Sequence, residues 1–174
     1  MKDSRVIVEA GVMIALAQVL SYVKVYESPY GGSVTAASML PILFFALHRG
    51  LKPGLMAGTV YGVLQFLLGP KWSFHVLSIA LDYVVAFGAL GFAGVFVGKG
   101  LRGARLGTLL GIGLRFLSHF VAGVVIWGIY APEGMNPWLY SLIYQGSYLL
   151  PELLLTLLVM SLVWKPVSRA LENI

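Results

Sequence analysis

Six apolar segments divide the sequence, and short stretches between them hold most of the charged residues. The segments run approximately over residues 6–23, 36–47, 54–69, 74–97, 106–130 and 139–164. A helix that crosses the hydrocarbon layer needs about 20 residues, and the second segment has barely half of that length. We therefore expect the second helix to begin within the preceding loop, or to be tilted or shortened against its neighbours.

The composition excludes several classes of protein. Hydrophobic residues make up 59% of the chain and charged residues 11%, whereas a soluble domain carries about 25% charged residues. So few polar side chains cannot coat a soluble globule, which excludes a soluble enzyme, a disordered chain and a nucleic-acid module. The chain has no cysteine, so it can form neither a disulfide nor a thiolate metal site.

The basic residues predict the orientation in the membrane. With the N-terminus in the cytoplasm, the inner loops and tails hold nine of the 12 Lys and Arg residues and the outer loops two. The nine are Lys2, Arg5, Arg49, Lys52, Lys99, Arg102, Arg105, Lys165 and Arg169, and the two are Lys24 and Lys71. This asymmetry follows the positive-inside rule and requires an even number of crossings. We predict an all-α integral membrane protein with six transmembrane helices, both termini cytoplasmic, and one domain over residues 1–174.

Catalytic and nucleotide-binding motifs are missing. Gly98 and Lys99 are followed by Gly100 rather than by Ser or Thr, so they do not form a phosphate-binding Walker A loop. No nucleophile elbow and no zinc-protease motif occurs. We therefore predict a protein that is not an enzyme and needs no cofactor, and any ATP-driven function requires a separate ATPase.

Ionisable residues within apolar segments mark candidate functional positions, because a charge in the membrane is costly. Asp82 lies about eight residues into the fourth segment, counted from the outer side, or roughly 12 Å along a helix. Arg115 lies inside the fifth segment, where it can extend toward the cytoplasm or pair with a buried acid such as Glu152. Glu9 lies near the inner surface, where solvation or pairing with Arg5 explains it.

Aromatic residues on the fifth and sixth segments lie at about the same outer depth as Asp82. His119, Gly123 and Trp127 are spaced four residues apart on the fifth segment, so they share a helix face, and Gly123 predicts a slot between the two rings. On the sixth segment Tyr140, Tyr144 and Tyr148 have the same spacing, with Gln145 beside them. Aromatic faces attract cations and a carboxylate neutralises them, so this combination favours a flat cationic ligand. An interfacial aromatic belt is the structural alternative.

Five stretches of the chain resemble the thiamine-specific substrate-binding (S) component of energy-coupling factor (ECF) vitamin transporters. They run from Gly31 to Pro41, Leu47 to Gly50, Leu81 to Gly94, Arg115 to Trp127 and Leu139 to Glu152. The first of them combines two glycines with three hydroxyl residues, which favours a lid over a plain connection. The resemblance implies high-affinity thiamine binding and uptake by a six-helix protein of the bacterial plasma membrane.

The resemblance also implies a set of thiamine-contacting residues. The family's acid on helix four, its His and Trp on helix five and its Tyr and Asn on helix six match Asp82, His119, Trp127, Tyr140 and Gln145. Tyr83, beside the acid, is a further candidate. Asp82 stands where the family often has Glu, and Gln145 where it usually has Asn, so one side chain is shorter and the other longer by one methylene.

Membership of such a transporter implies protein partners. In the family the S component associates with a membrane coupling subunit (EcfT-type) and two cytoplasmic ATPases (EcfA-type), and it topples in the membrane to release substrate inside. Gly11 and Ala15 on the first segment match the small-residue patch that contacts the coupling subunit. Spacing alone also allows packing within the chain for these two residues, as for the glycines of the third to fifth segments.

Three alternatives remain at this point. The chain can be an S component for another vitamin or a thiamine precursor. It can be a proton-coupled secondary carrier with Asp82, His119 and Glu152 as relay groups, although residues 1–87 and 88–174 show no inverted repeat. A structural or assembly protein is the third, but it would not need a carboxylate and an imidazole at one depth.

Overall fold

The computed structural model describes residues 2–29, 31–71 and 73–172, and it contains six helices within these ranges. They are α1 (Lys2–Ser21), α2 (Leu40–Arg49), α3 (Leu51–Leu68), α4 (Val76–Phe96), α5 (Gly100–Val125) and α6 (Pro137–Glu172). Five of them are long and apolar enough to cross a membrane, and α2 is the shorter one. The predicted six-helix membrane fold is confirmed. The division of the chain into one domain stays a prediction.

The second helix is as short as its segment indicated. It begins at Leu40, four residues later than the apolar segment, and its ten residues extend about 15 Å. Every residue from Pro41 to Leu47 is buried, so neighbouring helices surround α2 instead of lipid. Gly50 has a φ of +91°, which lets the chain turn directly from α2 into α3. At this inner end Arg49 donates a 2.7 Å hydrogen bond to Glu9, so the pairing of Glu9 with Arg5 is wrong.

A short antiparallel hairpin between α1 and α2 was not predicted. Its strands are β1 (Lys24–Glu27) and β2 (Ser33–Thr35), with Tyr26 opposite Val34. All four residues of β1 are exposed, so the strand lacks the alternation of buried and exposed positions that reveals a strand in sequence. Gly31 and Gly32 precede β2 with φ values of +98° and +90°. The hairpin lies at the end of the bundle opposite Arg49 and covers the outer ends of the helices.

Glycines allow α3 and α4 to pack backbone against backbone. A Cβ atom added to Gly58 would lie 3.1 Å from the Cα atom of Gly88 and closer still to the carbonyl oxygen of Phe87. Gly54 faces Gly91 in the same way one turn nearer the inner end. Small residues of this kind replace the hydrophobic effect as the source of helix association in lipid. The packing interpretation of these glycines is confirmed.

We expect Gly58→Ala to lower the thermal stability of the detergent-purified protein, because the added methyl group forces α3 and α4 apart at a cost of about 1–3 kcal/mol. Gly113→Ala is the matched control, since a Cβ atom there meets no atom within 4 Å. Alanine is also the better helix former by about 1 kcal/mol. A thermal unfolding midpoint that falls for Gly58→Ala and not for Gly113→Ala is the expected result. Equal midpoints would contradict the close helix contact.

Candidate binding site

A cavity of about 220 Å³ lies beneath the hairpin at the outer end of the bundle. Residues of the hairpin and of α1, α3, α4, α5 and α6 line it. All six residues that the sequence predicted as substrate-binding are among them: Asp82, Tyr83, His119, Trp127, Tyr140 and Gln145. These residues are far apart in the sequence, so it is the fold that brings them together. Their roles as ligand contacts stay predictions.

A widened turn of α4 carries the acidic residue of the cavity. The segment Ile79–Val85 has π-helical geometry inside an otherwise tighter helix. Such turns are rare and occur mostly at functional sites, because they redirect individual side chains. Ser118 on α5 donates a 2.7 Å hydrogen bond to the carbonyl oxygen of Leu81, which holds the widened turn against α5. The turn thereby fixes the position of Asp82.

Three side chains donate hydrogen bonds to the Asp82 carboxylate. Ser78 lies 2.9 Å and the indole nitrogen of Trp127 3.1 Å from Oδ2, and Nδ1 of His119 lies 3.0 Å from Oδ1. A carboxylate only accepts, so Nδ1 carries a hydrogen in this pair, and Nε2 of a neutral His119 is an acceptor. Nε2 is buried and has no partner among the described residues. The site therefore offers a negative charge, an indole ring and an imidazole acceptor together.

The fifth helix ends sooner than its sequence pattern predicted. α5 stops at Val125, and Trp127 lies in the 3₁₀ turn Trp127–Tyr130 that follows. The predicted slot at Gly123 is wrong, because the side chain of Ser141 from α6 occupies the space. A Cβ atom on Gly123 would lie 3.0 Å from Cβ of Ser141 and 3.1 Å from Nε2 of Gln145. Gly123 brings α5 and α6 together and so places Gln145 at the cavity wall.

The tyrosines of the cavity have different partners. Tyr148 donates a short hydrogen bond to Oε1 of Gln145, which fixes the amide. Tyr144 donates a 2.8 Å hydrogen bond to the carbonyl oxygen of Gly31 and so holds the hairpin. The rings of Tyr140 and Tyr144 lie 5.8 Å apart. Tyr83 donates to the carbonyl oxygen of Pro70 over 3.3 Å.

Glu152 joins the hairpin to α6. Its carboxylate accepts a 2.5 Å hydrogen bond from the backbone N–H of Thr35 and a 2.7 Å bond from the Thr35 hydroxyl. The predicted pair of Arg115 and Glu152 does not form. The Arg115 guanidinium instead packs over the ring of Phe87, 3.9 Å from its centroid. The segment predicted to act as a lid is thus anchored to α6 by a buried carboxylate.

One wall of the cavity escaped the sequence analysis. The amide nitrogen of Gln65 on α3 donates 2.9 Å hydrogen bonds toward Oε1 of Gln18 and the hydroxyl of Ser21, both on α1. Tyr61 donates to the carbonyl oxygen of Ala17 over 3.2 Å. The first helix therefore contributes polar groups at outer depth. Gln18 and Gln65, two amides within apolar segments, were the available signal.

The two residues predicted to contact a partner lie on the outside of α1. Gly11 and Ala15 are both exposed, and a Cβ atom added to Gly11 meets nothing within 4 Å. Packing within the chain therefore does not explain this small-residue pair. Contact with another membrane protein stays a prediction.

A family model described as "Thiamine transporter protein" matches residues 7–171, nearly the whole chain. The chain belongs to this family. It is 31% identical to the thiamine transporter ThiT of Bacillus subtilis over 181 residues, which cover 96% of this chain and 94% of that protein. It is 34% identical to ThiT of Lacticaseibacillus paracasei over 177 residues, with coverages of 91% and 86%.

The fold agrees with that of a solved family member. ThiT from Listeria monocytogenes superposes with a TM-score of 0.87 at 26% sequence identity, covering 97% of this chain and 98% of that one. Membership of the thiamine transporter family identifies the chain as a transport protein rather than an enzyme. Together with the five apolar spans, it identifies a multi-pass protein of the bacterial plasma membrane.

Proposed function

We propose that this protein binds thiamine from the outer side of the membrane and takes it up as the substrate-binding (S) component of an ATP-driven ECF transporter. The arrangement of Asp82 between His119 and Trp127 in the outer cavity carries the proposal. Family membership supports the substrate, because the matching model and the curated relatives are named for thiamine transport.

The chemistry of thiamine fits these three side chains. Its thiazolium ring is a flat cation, which a carboxylate neutralises and an indole face attracts. Its aminopyrimidine ring carries an N–H₂ donor, which the unpartnered Nε2 atom of His119 can accept. The carboxylate already holds three hydrogen bonds from Ser78, His119 and Trp127. The anion is thus positioned before the ligand arrives, and binding requires little reorganisation.

The departures from the family pattern fit the same picture. The shorter Asp82 lies on the widened turn of α4, held by Ser118 from α5. The longer Gln145 is buried, and Tyr148 orients its amide. Both side chains are therefore fixed by hydrogen-bonded neighbours, as a preformed binding site requires. We expect thiamine, rather than a different vitamin, to fill the space between them.

Coupling to ATP hydrolysis requires partner proteins, because the sequence has no nucleotide-binding motif. We infer that a membrane coupling subunit of the EcfT type docks on α1, and that two EcfA-type ATPases supply the energy. The exposed positions of Gly11 and Ala15 support this inference, since small residues let a partner helix approach closely.

Titration of the purified protein with thiamine tests the proposal, and we expect saturable quenching of tryptophan fluorescence without ATP. Of the tryptophans that the structure describes, Trp127 alone lines the cavity. Trp127→Phe should therefore abolish most of the quenching, while Trp138→Phe should preserve it. Saturable quenching by another vitamin, and none by micromolar thiamine, would assign the protein to a different substrate.

A further inference from the structure

The cavity contains a half-buried cation that the proposed thiamine contacts leave unused. Arg115 lies at the middle of α5, one helical turn below His119, and lines the cavity about 6 Å deeper along the helix. Its guanidinium rests on the ring of Phe87, 3.9 Å from the centroid. Nε is buried, and the guanidinium makes no hydrogen bond or ion pair with any residue in the described ranges.

Neighbouring acids do not satisfy this guanidinium. Glu152 directs its carboxylate to Thr35 of the hairpin, and Asp82 accepts from Ser78, His119 and Trp127. Arginine has five N–H donors and no acceptor, and a buried donor without a partner is unfavourable. A ligand group at the floor of the cavity, the part that Arg115 lines, should therefore accept hydrogen bonds and carry no positive charge.

We infer that Arg115 is a ligand-binding residue whose guanidinium donates a hydrogen bond to a ring nitrogen of the ligand's uncharged heteroaromatic ring. This inference rests on the proposed function, since it concerns how thiamine lies in the cavity. The thiazolium cation is attracted to Asp82 and repelled by Arg115, so the two charges orient the molecule. The pyrimidine ring, whose nitrogens are acceptors, then lies over the floor. Stacking on Phe87 holds the planar guanidinium in place for this contact.

A double-mutant cycle between ligand and protein tests the inference. The ligands are thiamine and an aminophenyl analogue in which C–H replaces both pyrimidine nitrogens, and the proteins are the wild type and Arg115→Met. Methionine keeps an unbranched apolar chain against Phe87, and replacing an unpaired charge in the membrane region by such a chain favours folding. Wild-type protein should bind the analogue about ten- to hundredfold more weakly than thiamine. Arg115→Met should bind the two ligands with nearly equal affinity.

Further variants and a third ligand make the cycle decisive. Arg105→Met is the matched control, because Arg105 is on the same helix but bonds to Ser161 near the inner end; it should keep the wild-type preference for nitrogen. If Arg115→Met does not fold, Arg115→Lys replaces it, and its compact ammonium should reduce that preference at least severalfold. A preference that persists in the Arg115 variant overturns the inference. The third ligand is a thiamine analogue without the hydroxyl group. If wild-type protein binds thiamine more tightly than this analogue and Arg115→Met does not, the alcohol tail contacts Arg115, and the inference is also overturned. Failure of wild-type protein to bind thiamine would instead overturn the proposed function.

Discussion

Replacing Asp82 by Asn should weaken thiamine binding about ten- to hundredfold, because charge-assisted hydrogen bonds in a desolvated site contribute roughly 1.5–3 kcal/mol. The substitution keeps the shape of the side chain and removes its charge. A neutral analogue, in which an uncharged thiophene replaces the thiazolium ring, should lose much less affinity. The dissociation constants of both ligands, measured by fluorescence titration of the two purified proteins, give the comparison.

Glu27→Gln is the matched control for this experiment. Glu27 also lines the cavity, but it is exposed at the mouth and pairs with Lys24 over 2.6 Å. An exposed ion pair contributes little, so the control should bind thiamine nearly as well as the wild type. Equal losses of the charged and the neutral ligand in Asp82→Asn would show that Asp82 acts through the geometry of the site. Its hydrogen bonds to His119 and Trp127 would then be its main role.

The helices and the residues that line the cavity could be predicted because both leave clear patterns in the sequence. A long apolar segment has few alternatives in lipid, where each backbone group must be satisfied within a helix. An acid such as Asp82 inside a segment of that kind is costly, so it marks a site. The resemblance to a known family then linked Asp82 to residues of α5 and α6, which the structure places around one cavity.

The details that sequence could not predict depend on contacts between distant elements. The widened turn at Asp82 is held by Ser118, 36 residues later. The hairpin is held by Glu152, which is separated from Thr35 by 117 residues. Gly123 predicted an open slot on its own helix, but the side chain of Ser141 from the next helix fills that space. Each of these contacts is decided by tertiary packing, so no local pattern encodes it.

The absence of a pair between Arg115 and Glu152 has the same origin. Charge alone favours that pair, and both residues lie in the membrane region. The backbone N–H and the hydroxyl of Thr35 occupy the Glu152 carboxylate, which leaves the guanidinium to Phe87 and the cavity. Since the hairpin itself was not predicted from sequence, its competition for Glu152 could not be predicted either.

Replacing Ala15 by Trp should abolish thiamine uptake by cells that express the complete transporter, while the purified variant binds thiamine with unchanged affinity. Ala15 is exposed on α1, one turn from Gly11, so an indole there blocks the close approach of a partner helix. The polar residues that α1 contributes to the cavity, Gln18 and Ser21, lie nearer its outer end. Gly11→Trp should behave in the same way.

Leu16→Trp is the matched control, because Leu16 is also exposed but lies about 100° around the helix from Ala15. It should keep both uptake and binding, since a large apolar side chain already occupies that position. Loss of binding together with uptake in Ala15→Trp would show that the residue supports the cavity through α1. Uptake that survives in both Ala15→Trp and Gly11→Trp would show that the coupling subunit contacts a different helix face. If only the variants of Gly11 and Ala15 lose uptake, and both still bind thiamine, α1 is the surface on which the coupling subunit docks. ATP hydrolysis by the partner ATPases is then coupled to the thiamine site through this contact.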